Sequence, residues 1–164
     1  MKVVLVADHY DIQAPRLSGI GNYILRLANG LRKYSDIQLL TIRLRESSSK
    51  LGHVDYVFQA SNYSPLSLMF RNLKLCMNPK FHQLLKSCDV MHVSAWGSSY
   101  TPLLLQSSLS DVKFVTTIHD IGNIVLSHLY KYGYMERMGL LISLKLLGKY
   151  ADAVIAVSEA TRET

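Results

Sequence analysis

The sequence predicts an α/β protein with a mostly parallel sheet carrying helices on both faces. Strand-length apolar runs alternate with helix-length segments from one end of the chain to the other. Runs such as Val3-Val4-Leu5-Val6-Ala7 lack the period-two polarity of a strand with one wet face, so they read as parallel strands buried on both sides. No segment repeats internally. At 164 residues, 49% of them hydrophobic and 18% charged, the chain is long enough for one domain, residues 1–164, with a real core.

Lys2 to Ala7 is the first strand, and Asp8 to Ser18 reads as a polar loop. Ile20, Tyr23, Ile24, Leu27, Ala28, Leu31 and Tyr34 then recur at helical spacing, with Asn22, Arg26, Asn29 and Lys33 between them, which predicts an amphipathic helix facing the sheet. Ile37 to Ile42 and Val54 to Phe58 are the next strands, separated by the polar stretch Arg43 to Lys50. Ser64-Pro65 starts a helix over Leu66 to Met77, and Asn78-Pro79 starts another through Lys86, each with proline at the first helical position. Asp89 to Val93 is a strand, Tyr100 to Gln106 a helix, Lys113 to Ile118 a buried strand and Tyr134 to Tyr150 a long helix. Asp152 to Val157 is the last strand and delivers Ser158 to a new helix, where its hydroxyl is expected to act as the cap.

Composition removes several function classes. The formal net charge of +6 attracts phosphates or acidic surfaces, yet Arg26, Arg32, Lys33, Arg71, Lys74, Lys80, Lys145 and Lys149 are dispersed, with no basic block of the kind that binds nucleic acid. Cys76 and Cys88 are too few for a disulfide framework. With His82 they match no common metal spacing and have no fourth ligand, so they read as buried small hydrophobes and no metal is expected. No run approaches the ~18 apolar residues of a membrane span, and no cleavable leader precedes the first strand; a cytoplasmic protein is expected.

In open parallel sheets ligands bind beyond the carboxyl ends of the strands. Asp8, His9 and then Ser18-Gly19-Ile20-Gly21 follow the first strand; His92 lies at the end of the fourth, before Ser94, Ala95, Trp96 and Gly97; His119 and Asp120 follow the fifth. Gly19 and Gly21 let backbone N–H groups approach an anion at the positive end of a helix, although a purely structural glycine turn fits them too. A nicotinamide or flavin fingerprint is not met, because Ile24 stands where a third glycine belongs and Arg43 and Arg45 end the second strand in place of an acid. His119 can bond a sugar hydroxyl or move a proton near neutral pH, and Asp120 can assist it or merely anchor the loop. Neither a Gly-x-Ser-x-Gly elbow nor a P-loop is present.

Ser18-Gly19-Ile20-Gly21-Asn22-Tyr23, Thr116-Thr117-Ile118-His119-Asp120-Ile121 and Ala151-Asp152-Ala153-Val154-Ile155-Ala156-Val157-Ser158, in that order and at strand ends, resemble the N-terminal, Rossmann-like domain of a family 4 glycosyltransferase of the GT-B fold. The resemblance spans the chain. It implies transfer of a sugar from a nucleotide-sugar donor to a glycan or lipid-linked acceptor, with retention of anomeric configuration and no metal or other cofactor. It also implies that Gly19 and Gly21 lie by the donor phosphates, that His119, with Asp120 beside it, contacts the transferred sugar, and that Ser158 caps its helix.

The family's donor-binding C-terminal domain, with its paired glutamates and basic phosphate ligand, does not occur before Thr164. The chain is therefore expected to be inactive alone and to need that domain in cis, as an excised half, or in trans, as a subunit. On the acceptor side, His92 at the end of its strand and Trp96 and Tyr100 beyond that end are candidates to contact the sugar, with packing as the plainer role for Trp96. Arg71 and Lys74 among Leu66, Leu68, Met69, Phe70 and Leu73 could form a surface for anionic membrane headgroups, making the protein peripheral on the cytoplasmic side; an ordinary core helix with two exposed cations fits as well. The alternative function is a non-catalytic module of the same fold that docks a partner or membrane.

Overall fold

The computed structural model describes residues 1–8, 19–34, 36–43, 56–59, 65–119 and 134–162. In chain order these form β1 (Lys2–Asp8), α1 (Gly19–Leu31), β2 (Asp36–Arg43), β3 (Tyr56–Gln59), α2 (Pro65–Cys76), α3 (Pro79–Lys86), β4 (Val90–Val93), α4 (Thr101–Ser108), β5 (Lys113–Ile118), α5 (Tyr134–Tyr150), β6 (Ala153–Ala156) and α6 (Glu159–Arg162). A single 3-10 turn, Ser98–Tyr100, leads into α4, two residues ahead of the expected helix start. The six strands make one sheet in the order β3-β2-β1-β4-β5-β6. All five neighbouring pairs are parallel.

β1 lies in the middle, and its continuous apolar run is explained by two cores. Val3, Leu5 and Ala7 point to one face, where Ile24 and Ala28 of α1 and Ile37 of β2 close over them. Val4 and Val6 point to the other, into a larger cluster with Met91, Val93, Phe114, Phe81, Leu84, Leu85, Leu103, Leu104 and Leu147 supplied by β4, β5 and α3 to α5. Side chains alternate across a strand, so a strand roofed on both sides is apolar at consecutive positions. Burying such groups at about 25 cal/mol per Å² of apolar surface is what holds the layers together.

Local signals set the helix ends. Pro79 occupies the first turn of α3, and the Asn78 side chain accepts from Lys80 N at 2.9 Å. Ser158 Oγ accepts from Thr161 N at 3.2 Å, the capping role expected of it. The start of β6 is fixed by Asp152, which accepts from Phe114 N at 2.8 Å and pairs with Lys113 at 2.9 Å. β6 forms one edge of the sheet, with Val154 and Ile155 exposed. The third strand runs Tyr56–Gln59, one residue past its expected end, and residues 54 and 55 lie outside the described set.

One surface expectation is corrected. Arg71 is only 7% exposed: its Nε donates to Asn72 Oδ1 at 3.4 Å, and the fully buried Asn72 donates to Ser99 O at 2.7 Å. The outer side of α2 instead carries Met69, Phe70, Leu73 and Lys74. Because α2 is apolar on most sides, hydrophobic spacing did not reveal which side would meet the sheet.

Candidate functional site

The chain leaves β1 toward β2 and β3, then crosses back to β4 on the other side of β1. Strand order therefore reverses between β1 and β4, and a crevice opens at their carboxyl ends, the position where open α/β sheets bind ligands. Three segments named from the sequence converge there: the start of α1, the turn after β4 and the end of β5.

Ser94, just past β4, is fully buried, and both its backbone N and its Oγ donate to Val6 O, at 3.0 and 2.8 Å. This pins the β4 turn to the end of β1. The Ser94 carbonyl in turn accepts from His119 Nε2 at 2.8 Å. A carbonyl only accepts, so Nε2 carries the proton, and in the neutral imidazole Nδ1 keeps a lone pair. The ring is half-buried and stands edge-on to Tyr23 of α1, with centroids 4.9 Å apart and planes at 82°.

Tyr23 reaches across the sheet as well. Its hydroxyl is 2.9 Å from Thr117 Oγ1, and the same Oγ1 lies 2.9 Å from His92 Nε2. Thr117 and His92 are buried, and burial pushes the His92 pKa down from 6.5 to about 4, so the ring is neutral around pH 7. His92 thus sits beneath the site as a hydrogen-bonded core residue, and its expected direct contact with an acceptor is corrected on that ground.

The two aromatic acceptor candidates take other places. Tyr100 is 7% exposed and belongs to the larger core, which corrects its reading as a surface platform for a sugar. Trp96 packs against the same core, edge-on to Phe114 at 6.0 Å, while its backbone N donates to Thr117 O at 2.9 Å. Its indole Nε1 is buried with no hydrogen-bond partner among the described residues. Asp120 lies outside the described residues.

Gly19 opens α1 and Gly21 is buried within its first turn. Gly19 is exposed, has no positive φ, and a Cβ built on it meets nothing within 4 Å. Neither backbone conformation nor packing within the described residues demands glycine there. An open depression of about 660 Å³ runs along this flank, lined by Gly19, Asn22, Tyr23, Arg26 and Leu27.

Cys76 and Cys88 are buried, donating to Pro102 O at 3.4 Å and Leu85 O at 3.3 Å. Burial pushes their thiols up to about 12 and about 11, leaving both protonated at neutral pH. Among the described residues no cluster of His, Cys, Asp or Glu is arranged to hold a metal ion.

The model of Glycosyltransferase Family 4 matches residues 17–164. The chain belongs to glycosyltransferase family 4. No curated protein sequence matches this family 4 chain. Among solved structures, the UDP-GlcNAc 2-epimerase from Methanocaldococcus jannaschii is similar to it, with a TM-score of 0.56 and 11% sequence identity. The match covers 99% of this chain and 41% of the epimerase, so the family 4 chain spans about two fifths of that structure. At such identity the likeness is one of fold, and it agrees with the Rossmann-like α/β architecture.

Tyr23 and Thr117 are the functional candidates that hydrophobic patterning passed over. Tyr23 has the spacing of a core-facing helix residue, and its hydroxyl partner is 94 positions away. The usable signal was polarity inside apolar strands: Thr117 and His92 interrupt runs that are buried on both faces, and buried polar groups need partners.

Proposed function

We propose that this chain is the acceptor-side half of a retaining, metal-independent glycosyltransferase that moves a sugar from a nucleotide-sugar donor to a glycan or lipid-linked acceptor, together with a donor-binding domain in cis or in trans. The observation that carries the reading is the approach of the α1 start to His119 at the switch-point crevice: Tyr23, one helical turn after Gly19, touches the imidazole. Departure of a nucleoside diphosphate concentrates negative charge on phosphate oxygens. The amino end of α1, the positive end of the helix dipole with no Cβ at Gly19, suits those oxygens. His119, with Nε2–H committed to Ser94 O, offers Nδ1 to accept a hydrogen bond from a hydroxyl of the transferred sugar and so orient it.

Gly19 gives a clean test, since fold and ligand ask different things of it. Gly19→Ala is expected to leave stability unchanged or raise it by up to about 1 kcal/mol, because alanine loses less backbone freedom in a helix. The same methyl would stand in the path of the phosphates and lower kcat/KM for the donor about tenfold, an overpacking cost of about 1–3 kcal/mol. Thermal melts and donor-dependence kinetics read the two effects; unchanged kinetics would remove the donor phosphates from this helix.

A docking role is favoured by a separate observation. Met69, Phe70, Leu73 and Met77 are 41%, 52%, 47% and 73% exposed, beside the exposed Lys74 and with no acidic residue in α2. Among the described residues no helix is long and apolar enough to cross a membrane. This apolar, cationic face suits peripheral contact with an anionic lipid surface on the cytoplasmic side. The protein should co-sediment with vesicles of phosphatidylserine and phosphatidylcholine more than with phosphatidylcholine alone, and a Phe70→Ser/Lys74→Glu variant should stay in the supernatant. Equal recovery of wild type and variant would sink the membrane role. A docking module with no catalysis would further require that the chain support no sugar transfer when its donor-binding domain is present.

A further inference from the structure

We infer that Tyr23 is a positioning residue that sets the orientation of the His119 imidazole. The inference rests on the proposed role of His119 and goes beyond it, since nothing in that role requires the tyrosine.

His119 is held at two places. Its Nε2–H is tied to Ser94 O at 2.8 Å, which alone leaves the ring free to swing about that bond. The Tyr23 ring, 4.9 Å away and nearly perpendicular, blocks the swing and sets the direction in which Nδ1 points. Tyr23 is itself anchored through its hydroxyl at 2.9 Å from Thr117 Oγ1, which His92 Nε2 holds from the other side at the same distance. Thr117 is two residues before His119 on the same strand exit, and Tyr23 is four residues after Gly19. A shift of α1 relative to β5 would therefore move the helix start and the imidazole apart together, and the Tyr23–Thr117–His92 chain of hydrogen bonds resists it. Aromatic packing and a hydrogen bond meet on one side chain, so ring and hydroxyl separate into testable parts.

The test is a double-mutant cycle on sugar transfer by the enzyme containing this chain, with Tyr23→Leu, Tyr23→Phe and His119→Ala, alone and combined. Tyr23→Leu should lower kcat at least about tenfold with donor KM changed less than about threefold, the penalty of misorienting a group without removing it. Tyr23→Phe keeps the ring and should lose less; it also preserves the test if the leucine variant melts near assay temperature. In the His119→Ala background Tyr23→Leu should change kcat less than about twofold, because the residue it positions is gone. Additive losses would overturn the inference and make Tyr23 a structural or independent contributor. If His119→Ala lowers kcat and Tyr23→Leu does not, the inference fails while the histidine's role stands. If neither lowers kcat, both fail. Carbon-bound proton signals of the His119 ring should move in Tyr23→Leu and hold near their positions in Tyr23→Phe; static signals in Tyr23→Leu would overturn the inference independently of turnover.

Discussion

On the function proposed above, replacing His119 by alanine in the enzyme completed by the donor-binding domain should lower kcat for sugar transfer about 10²–10³-fold, the loss typical of removing one preorganised polar group from a reacting centre. Stability should fall far less. The imidazole is half-buried, it donates a hydrogen bond to the Ser94 carbonyl, and Ser94 itself remains tied to Val6 by two bonds without it. Removing a hydrogen bond of this kind costs about 0.5–1.5 kcal/mol. His119→Asn and His119→Gln are informative partners. An amide that keeps the donor to Ser94 but loses the imidazole lone pair in its present direction should remain well below wild-type turnover while recovering the melting temperature. Equal proportional losses of folded protein and activity across the three variants would reduce His119 to a packing residue.

The second large effect is a pH dependence of folding that originates beneath the site. His92 is neutral in the fold because burial pushes its pKa from 6.5 to about 4. In the unfolded chain the same group protonates around its ordinary value. Between these two values the unfolded state binds the extra proton, so stability rises with pH across the window and falls as the solution is acidified from about pH 6.5 to about pH 4. The contribution amounts to about 3 kcal/mol when the window has been crossed and does not grow below it. Asp152, held below its ordinary value by the hydrogen bond and charge of Lys113, weakens the fold in the same direction at the acid end. A His92→Gln comparison isolates the histidine from that background. Urea midpoints at pH 7 and pH 4.5 should differ markedly more for the wild type than for His92→Gln, and parallel shifts in the two proteins would contradict the assignment.

Much of this fold is legible in the sequence, for one physical reason. Strands roofed on both faces are apolar at most positions, and Val3 to Ala7, the run ending at Val93 and the run ending at Ile118 show that pattern, interrupted at His92, Thr116 and Thr117. Capping chemistry was equally visible at Asn78-Pro79 and Ser158. Legibility failed where tertiary placement decides. Sequence pattern alone puts Arg71 at the surface and Tyr100 in the site, yet both are buried, because a helix apolar on most sides does not declare its inward face and a residue after a strand can turn down into the core as easily as up into the crevice. The strand pattern puts His92 at the right strand end and suggests a direct contact, whereas its place is one layer below, bonded to Thr117. The approach of Tyr23 to Thr117 and His119 joins segments 94 and 96 positions apart, and no local pattern encodes a contact at such range.

On the proposed function, the start of α1 and His119 form one side of a sugar-transfer site, completed by a donor-binding domain. The most direct measurement is product formation from a nucleotide-sugar donor by this chain joined to that domain, with the anomeric configuration of the new linkage followed by proton NMR from the first turnovers. The wild type should transfer with retention, and His119→Ala, folded to the same extent, should transfer at about 1% of that rate or less. Inversion at the anomeric carbon, or equal rates for the two proteins, would contradict it.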